Sequence, residues 1–139
     1  MSNATVNKAT MKTTTVWKTD RIFESRYNDF QIEMGDGKFS PKALLLSGLA
    51  GCAGIDVVMI LEKMRVPFAH LQIDVETEQT DGEPRVFKDV VMNFTLTAAA
   101  ENKEKIRKAI DLSLEKYCGV AAMLQKHSKI TYNLNLQPE

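Results

Sequence analysis

Two cysteines carry most of the chemistry that this sequence could perform. Cys52 lies in the apolar segment LSGLAGCAGIDVV, and Cys118 lies in the segment EKYCGVAAML. A thiolate is a nucleophile, and two neighbouring thiols can cycle between a dithiol and a disulfide. The alternatives are buried structural thiols, a redox pair and a metal site. Spacing alone favours structural thiols, because free cysteine is among the most buried residue types.

Other arrangements of reactive residues give only weak evidence for a catalytic or metal site. A zinc site would need clustered ligands, whereas the sequence has no C-x-x-C motif and its two histidines, His70 and His127, are isolated. Neither Ser47 nor Ser113 lies in a nucleophile elbow. The sequence therefore predicts no metal and no bound cofactor.

Two predicted helices must position the cysteines. The first begins at Ser40-Pro41, an N-cap followed by proline at the first helical position, and continues to Arg65 before Pro67 stops it. The second begins near Asn102, and its apolar residues recur at steps of three and four: Ile106, Ile110, Leu114, Tyr117, Ala121 and Leu124. Cys118 shares this apolar face, so each helix is expected to present one thiol to the other.

Three glycines spaced by three residues surround the first cysteine: Gly48, Gly51 and Gly54. They form a strip of small residues that another backbone can approach closely, and they favour a helix break near Gly51. A new helix starting there would place Cys52 at its N-terminus, where the partial positive charge favours a thiolate.

The remaining elements are strands. TTTVW (13–17), RIFES (21–25) and DFQIEM (29–34) are separated by turn residues, Leu71 to Glu76 alternates with period two, and Val90 to Leu96 returns as an antiparallel hairpin. The segment ITYNLNL (130–136) is a final strand. The order βββ-α-ββ-α-β predicts an α+β fold.

The composition limits which partners the protein can bind and indicates its cellular compartment. The chain has 139 residues, 18 basic and 18 acidic side chains and no net charge, which argues against binding to nucleic acid or to an anionic membrane. Residues 1–11 are expected to be a flexible lead-in, and residues 12–139 a single domain. No secretory signal is recognisable, so we expect a cytoplasmic protein with free thiols.

The segment from Ala43 to Leu61 has the length of a membrane span. It contains one charge, Asp56, and the three glycines interrupt it. A helix buried on most sides of a soluble protein is the preferred interpretation. Because the helix is apolar on nearly every side, a lone domain would struggle to cover it, which predicts an obligate homodimer.

Three motifs resemble those of the OsmC/Ohr family of thiol peroxidases, and of its OsmC-like branch in particular. They are SPKALLLSGLAGCAGIDVVMILEK (40–63), PRVF (84–87) and LSLEKYCGVAAML (112–124), and the resemblance covers roughly residues 12–136. It implies an intertwined homodimer in which two antiparallel sheets surround central helices, with active sites at the subunit interface.

The resemblance also implies a chemistry for the two cysteines. Cys52 would attack the O–O bond of an organic hydroperoxide and become a sulfenic acid, and Cys118 would condense with it to a disulfide. An external dithiol reductant would then restore the pair. The implied function is oxidative stress defence.

Two departures from the family pattern keep an alternative open. The usual acidic residue nine or ten positions before the first cysteine is replaced by Ala43 and Lys42, and either Arg21 or Arg26 could be the arginine that supports the thiolate. The alternative is a non-enzymatic OsmC-like dimer that binds an apolar ligand or senses redox state.

Overall fold

The computed structural model describes residues 10–139, which form two compact units. The first unit ends at Leu44 and the second runs from Leu45 to Glu139. Of the predicted flexible lead-in over residues 1–11, residues 1–9 lie outside the described residues. The single domain expected over residues 12–139 stays a prediction.

The first unit contains an antiparallel sheet of three strands, as the sequence predicts. Strand β1 spans Thr14–Thr19, β2 spans Ile22–Tyr27 and β3 spans Phe30–Gly35. The turn residues Asp20 and Asn28 adopt positive φ angles of 49° and 53°, a conformation that these two residue types tolerate well.

Helix α1 spans Pro41–Lys63. The Ser40 hydroxyl accepts a hydrogen bond from the Ala43 amide at 3.3 Å, so the predicted N-cap is confirmed. The helix is continuous, and the predicted break near Gly51 is therefore wrong. Glycine lowers helix propensity, but here the apolar residues on both sides of Gly51 stabilise the helix by packing.

One stripe of α1 enters the core of the second unit. Its buried residues recur every four positions: Leu49, Ala53, Val57 and Leu61. By length and composition alone α1 could also cross a membrane, a test that the core helices of soluble proteins pass as well. A quite different face, which includes Ile55 and Met59, remains exposed.

The second unit contains a mixed sheet. Strand β4 spans Ala69–Gln79, β5 spans Phe87–Thr97 and β6 spans Ile130–Gln137. The predicted antiparallel hairpin of β4 and β5 is confirmed, whereas β6 pairs with β5 in parallel. The description of both sheets as antiparallel is therefore corrected for this one. The parallel direction follows from the connection, because the chain crosses back through helices before entering β6.

The second predicted helix is divided into several elements. A 3₁₀ turn at Ala100–Asn102 leads into helix α2 at Lys103–Leu112, which continues as a π-helix over Ser113–Tyr117. Helix α3 then spans Gly119–Leu124. The prediction of a single uninterrupted helix is thus wrong. Its apolar face is correct at Ile106, Ile110, Leu114 and Ala121, which are buried, but wrong at Tyr117, which is 53% exposed.

The α+β class and the order of the elements are confirmed. The core of the second unit combines α1, the alternating face of β5 and the inward residues of α2 and α3. Phe94 on β5 and Tyr132 on β6 meet edge to face, with ring centroids 5.9 Å apart. The helices that carry the two cysteines therefore contribute to one core.

Candidate functional site

Cys52 lies in the middle of α1, one residue from the buried Ala53. The side chain of Cys52 is half-buried and packs against the core. Since α1 is continuous, Cys52 lies eleven residues after the start of the helix and far from its N-terminal dipole. The expectation that a helix start would favour its thiolate does not hold.

Cys118 lies in the gap between the π-helix and α3. It adopts an extended conformation, with φ −78° and ψ 106°, and only 3% of the residue is exposed. Its sulfur accepts a hydrogen bond from the Ala121 amide at 3.3 Å, so the thiol is the N-cap of α3. The inward orientation predicted for Cys118 is confirmed, but the interruption of the helix provides it.

The structure brings the two cysteines together. Both are free thiols, and the Cys52 side chain lies near enough to Cys118 to raise the pKa of its thiol. Burial raises the pKa of the Cys118 thiol to about 11, helped by the hydrogen bond and charge of Cys52 and by the charge of Asp56. A pair in which one thiol is partly exposed and the other is buried and protonated can divide the roles of attack and resolution.

Asp56 and Ser113 form a polar contact beside the cysteines. The Ser113 hydroxyl lies 3.1 Å from the Asp56 carboxylate and 3.2 Å from the Ala53 carbonyl, and Ser113 is fully buried. Sequence reasoning treated Asp56 only as an obstacle to a membrane span, and it rejected Ser113 as a nucleophile without giving it another role. The available signal was a single carboxylate in an apolar segment, one helical turn after Cys52.

A cavity of about 450 Å³ opens next to Asp56. Apolar side chains dominate its wall, with the Asp56 carboxylate and the Lys63 ammonium as polar exceptions. Its lining residues are Asp56, Met59, Ile60, Lys63, Leu112 and Tyr117. A small, mostly apolar molecule could enter it.

The candidate arginines lie in the first unit, and each is already in an ion pair. Arg21 binds Asp36 at 2.6 Å, and Arg26 binds Glu24 at 2.8 Å. The Arg26 hydrogen bond lowers the pKa of Glu24 from its ordinary value. Lys42 and Ala43 lie in the first turn of α1, as the sequence predicts.

Metal-binding clusters are not found within residues 10–139, where no group of three or more His, Cys, Asp and Glu side chains could hold an ion. His127 instead contacts the Ser128 hydroxyl at 3.1 Å.

The model of the OsmC-like protein family matches residues 34–133. The chain belongs to the OsmC-like family. Protein YhfA of Escherichia coli K12 is 36% identical over 99 residues, which cover 71% of this chain and 74% of YhfA. Both cysteines and the Asp56–Ser113 contact fall inside residues 34–133, the segment that the family model matches.

Solved structures share the fold. A hypothetical protein from Aquifex aeolicus is 22% identical with a TM-score of 0.87, covering 94% of this chain and 98% of its own. An organic hydroperoxide resistance protein from Legionella pneumophila is 11% identical with a TM-score of 0.67, covering 94% of this chain and 99% of its own. At these identities the likeness establishes the α+β fold of the OsmC/Ohr family.

Proposed function

We propose that this protein is a thiol-dependent peroxidase that reduces organic hydroperoxides in oxidative stress defence. The observation that carries the proposal is the pairing of Cys52 with Cys118 in a chain of the OsmC-like family. The Legionella pneumophila protein of the same fold, described as an organic hydroperoxide resistance protein, supports this choice of substrate.

The reaction uses both thiols and conserves all atoms. The Cys52 thiolate attacks the outer oxygen of the hydroperoxide, the O–O bond breaks, and the departing alkoxide takes a proton to become an alcohol. Cys118 then attacks the Cys52 sulfenic acid, forming the S–S bond and releasing water. An external dithiol reduces the disulfide, so no bound cofactor is needed.

Burial supports this division of roles. Cys52 is half-buried and thus partly exposed, whereas Cys118 is buried with a pKa raised to about 11 by desolvation, the Cys52 side chain and Asp56. At neutral pH Cys118 is therefore a protonated thiol and a poor first nucleophile. Cys52 is the peroxidatic thiol and Cys118 the resolving thiol.

The proposed assembly is a homodimer. Ile55 and Met59 on α1 are 64% and 50% exposed, which is unusual for adjacent large apolar side chains on a soluble protein. They border a shallow apolar groove that also involves Leu71 and Ile73 on β4. A second copy of the chain would cover this face, in agreement with the dimer implied by the family resemblance.

The alternative function is a non-enzymatic dimer that binds an apolar ligand or senses redox state. Two observations favour it: Lys42 and Ala43 replace the usual acidic residue, and the mostly apolar cavity beside Asp56 could hold a ligand. A redox sensor would form the same disulfide but would not turn over.

Turnover separates the two functions. Purified protein is mixed with cumene hydroperoxide and a dithiol such as dihydrolipoamide, and loss of hydroperoxide is followed over many equivalents of protein. We expect multiple turnovers for the wild type and none for Cys52→Ser, with Ser47→Ala as a matched control that retains activity. Disulfide formation that stops after one equivalent, despite fresh dithiol, would instead support the sensor.

We also expect the protein in the cytoplasm, where dithiol reductants are available.

A further inference from the structure

The Ser113 side chain connects the two helices that carry the cysteines. Its hydroxyl has a single proton, shared between the Asp56 carboxylate at 3.1 Å and the Ala53 carbonyl at 3.2 Å, both on α1. Ser113 is fully buried, so water does not compete for this contact. A charge-assisted hydrogen bond in such surroundings is stronger than one on the surface.

The Ser113 main chain holds Cys118. The Cys118 amide donates to the Ser113 carbonyl at 2.7 Å, which closes the π-helix over Ser113–Tyr117. Single π-helical turns inside α-helices are frequent at functional sites. One residue therefore links the carboxylate of Asp56 to the backbone that presents Cys118.

We propose that Asp56 is a positioning residue that, acting through Ser113, fixes the π-helix against α1 so that the Cys118 sulfur meets Cys52. This inference rests on the proposed function, because the position of Cys118 matters most when it must reach an oxidised Cys52. Asp56 lies one helical turn after Cys52, on the same side of α1, so the two residues face Cys118 together.

The Asp56 charge has a second consequence for Cys118. Cys52 and Asp56 are the two ionisable groups that act on the Cys118 thiol, and both raise its pKa in addition to burial. Cys118 therefore keeps its proton while Cys52 attacks the oxidant. When the disulfide forms, the proton of Cys118 and the hydroxide leaving Cys52 combine as water.

Diamide provides a test that needs no peroxide, since it oxidises two thiols to a disulfide and is itself reduced to a hydrazine. The Cys52–Cys118 disulfide is quantified by mass spectrometry in the wild type, in Asp56→Asn and in Ser113→Ala. Asp111→Asn is the matched control, because this carboxylate accepts a 2.8 Å hydrogen bond from Tyr132 instead.

We expect Ser113→Ala to slow disulfide formation about tenfold or more, because a small misplacement of reacting atoms is costly. Asp56→Asn keeps the shape of the side chain but removes the charge that strengthens the hydrogen bond from Ser113, so disulfide formation should slow about threefold or more. The pH profile of Cys118 alkylation should also move to lower pH, with alkylation at pH 9 about twofold faster or more. Asp111→Asn should match the wild type in both measurements.

The inference is overturned if Asp56→Asn forms the disulfide at the wild-type rate, whatever its alkylation profile, because a shift of that profile alone reports the lost charge and not the position of Cys118. If Ser113→Ala fails to fold, Asp56→Asn still decides the question, and Ser113→Thr should retain the wild-type rate. The hydroperoxide assay decides the proposed function separately: a wild type that forms the disulfide with diamide but does not consume hydroperoxide refutes the peroxidase and not the role of Asp56.

Discussion

The Cys118 amide and the Ser113 carbonyl form a 2.7 Å hydrogen bond across five residues. An α-helix would bring a residue one position earlier to that carbonyl, so the extra residue turns the chain and leaves Cys118 at the start of α3. The resolving thiol of the proposed reaction is thus held by main-chain bonds on both sides, one to its amide and one to its sulfur.

Removing the resolving thiol should leave Cys52 without protection. In Cys118→Ser treated with tert-butyl hydroperoxide, we expect Cys52 to proceed to sulfinic and sulfonic acid, because no thiol traps the sulfenic acid. Mass spectrometry of the peptide containing Cys52 measures this, and the wild type should show the Cys52–Cys118 disulfide instead. Over-oxidation of Cys118 in Cys52→Ser, with Cys52 inert in the wild type, would reverse the two roles.

Sequence reasoning found both cysteines and their common burial, yet it did not find the arrangement around Cys118. The apolar period through Leu114 and Ala121 reads as one helix, because an inserted residue in a single turn changes that period little. Asp56 and Ser113 lie far apart in sequence, so no spacing rule connects them. Alternation in ITYNLNL likewise fixes which side chains point inward, but it says nothing of the direction in which β6 pairs.

Alkaline conditions should destabilise the fold partly through Cys118. Its pKa is raised from 9.0 to about 11, so between these values the unfolded chain loses a proton that the folded chain retains. Stability due to this group is fully present below pH 9.0 and is lost as the pH rises toward about 11. Tyr132, with a pKa raised to about 12 by burial and Asp111, adds a loss of the same sign at higher pH.

Urea unfolding of the wild type and of Cys118→Ala, each at pH 8 and at pH 10.5, measures the contribution of Cys118 to the free energy of unfolding. Both proteins share the Tyr132 contribution, so the stability advantage of the wild type should shrink at the higher pH. An advantage that stays constant across this range would show that Cys118 titrates alike in the folded and unfolded states.

A charge on the exposed face of α1 should prevent dimer formation. Ile55→Lys would place an ammonium in the proposed interface, where burial without a partner is costly. Light scattering at micromolar concentration should give twice the chain mass for the wild type and the chain mass for the variant. Met123→Lys, at a residue 67% exposed on α3, is the matched control and should remain dimeric. A monodisperse wild-type monomer would refute the proposed dimer.

Lys42 should contribute little to the reactivity of Cys52. The two residues are ten positions apart on one continuous helix, which corresponds to about 15 Å along its axis. A charge shifts a neighbouring group strongly only within ~4–6 Å. In the Lys42→Ala variant we therefore expect Cys52 to be alkylated at nearly the wild-type rate. The variant should also consume hydroperoxide at nearly the wild-type rate. A tenfold loss in a folded variant would mean that Lys42 reaches the thiol by a route outside its own helix.

The parallel pairing of β6 with β5, from Val90–Ile130 to Thr97–Gln137, has a consequence for how the protein is made. On the ribosome, β4 and β5 can pair as soon as they emerge, while the other edge of β5 waits until α2, the π-helix and α3 have been synthesised. During that interval the nascent chain displays an open strand edge beside Phe94, the kind of surface that promotes association between unfinished chains. Translation pauses between residues 97 and 130 should therefore increase the demand for chaperones more than pauses elsewhere in the chain.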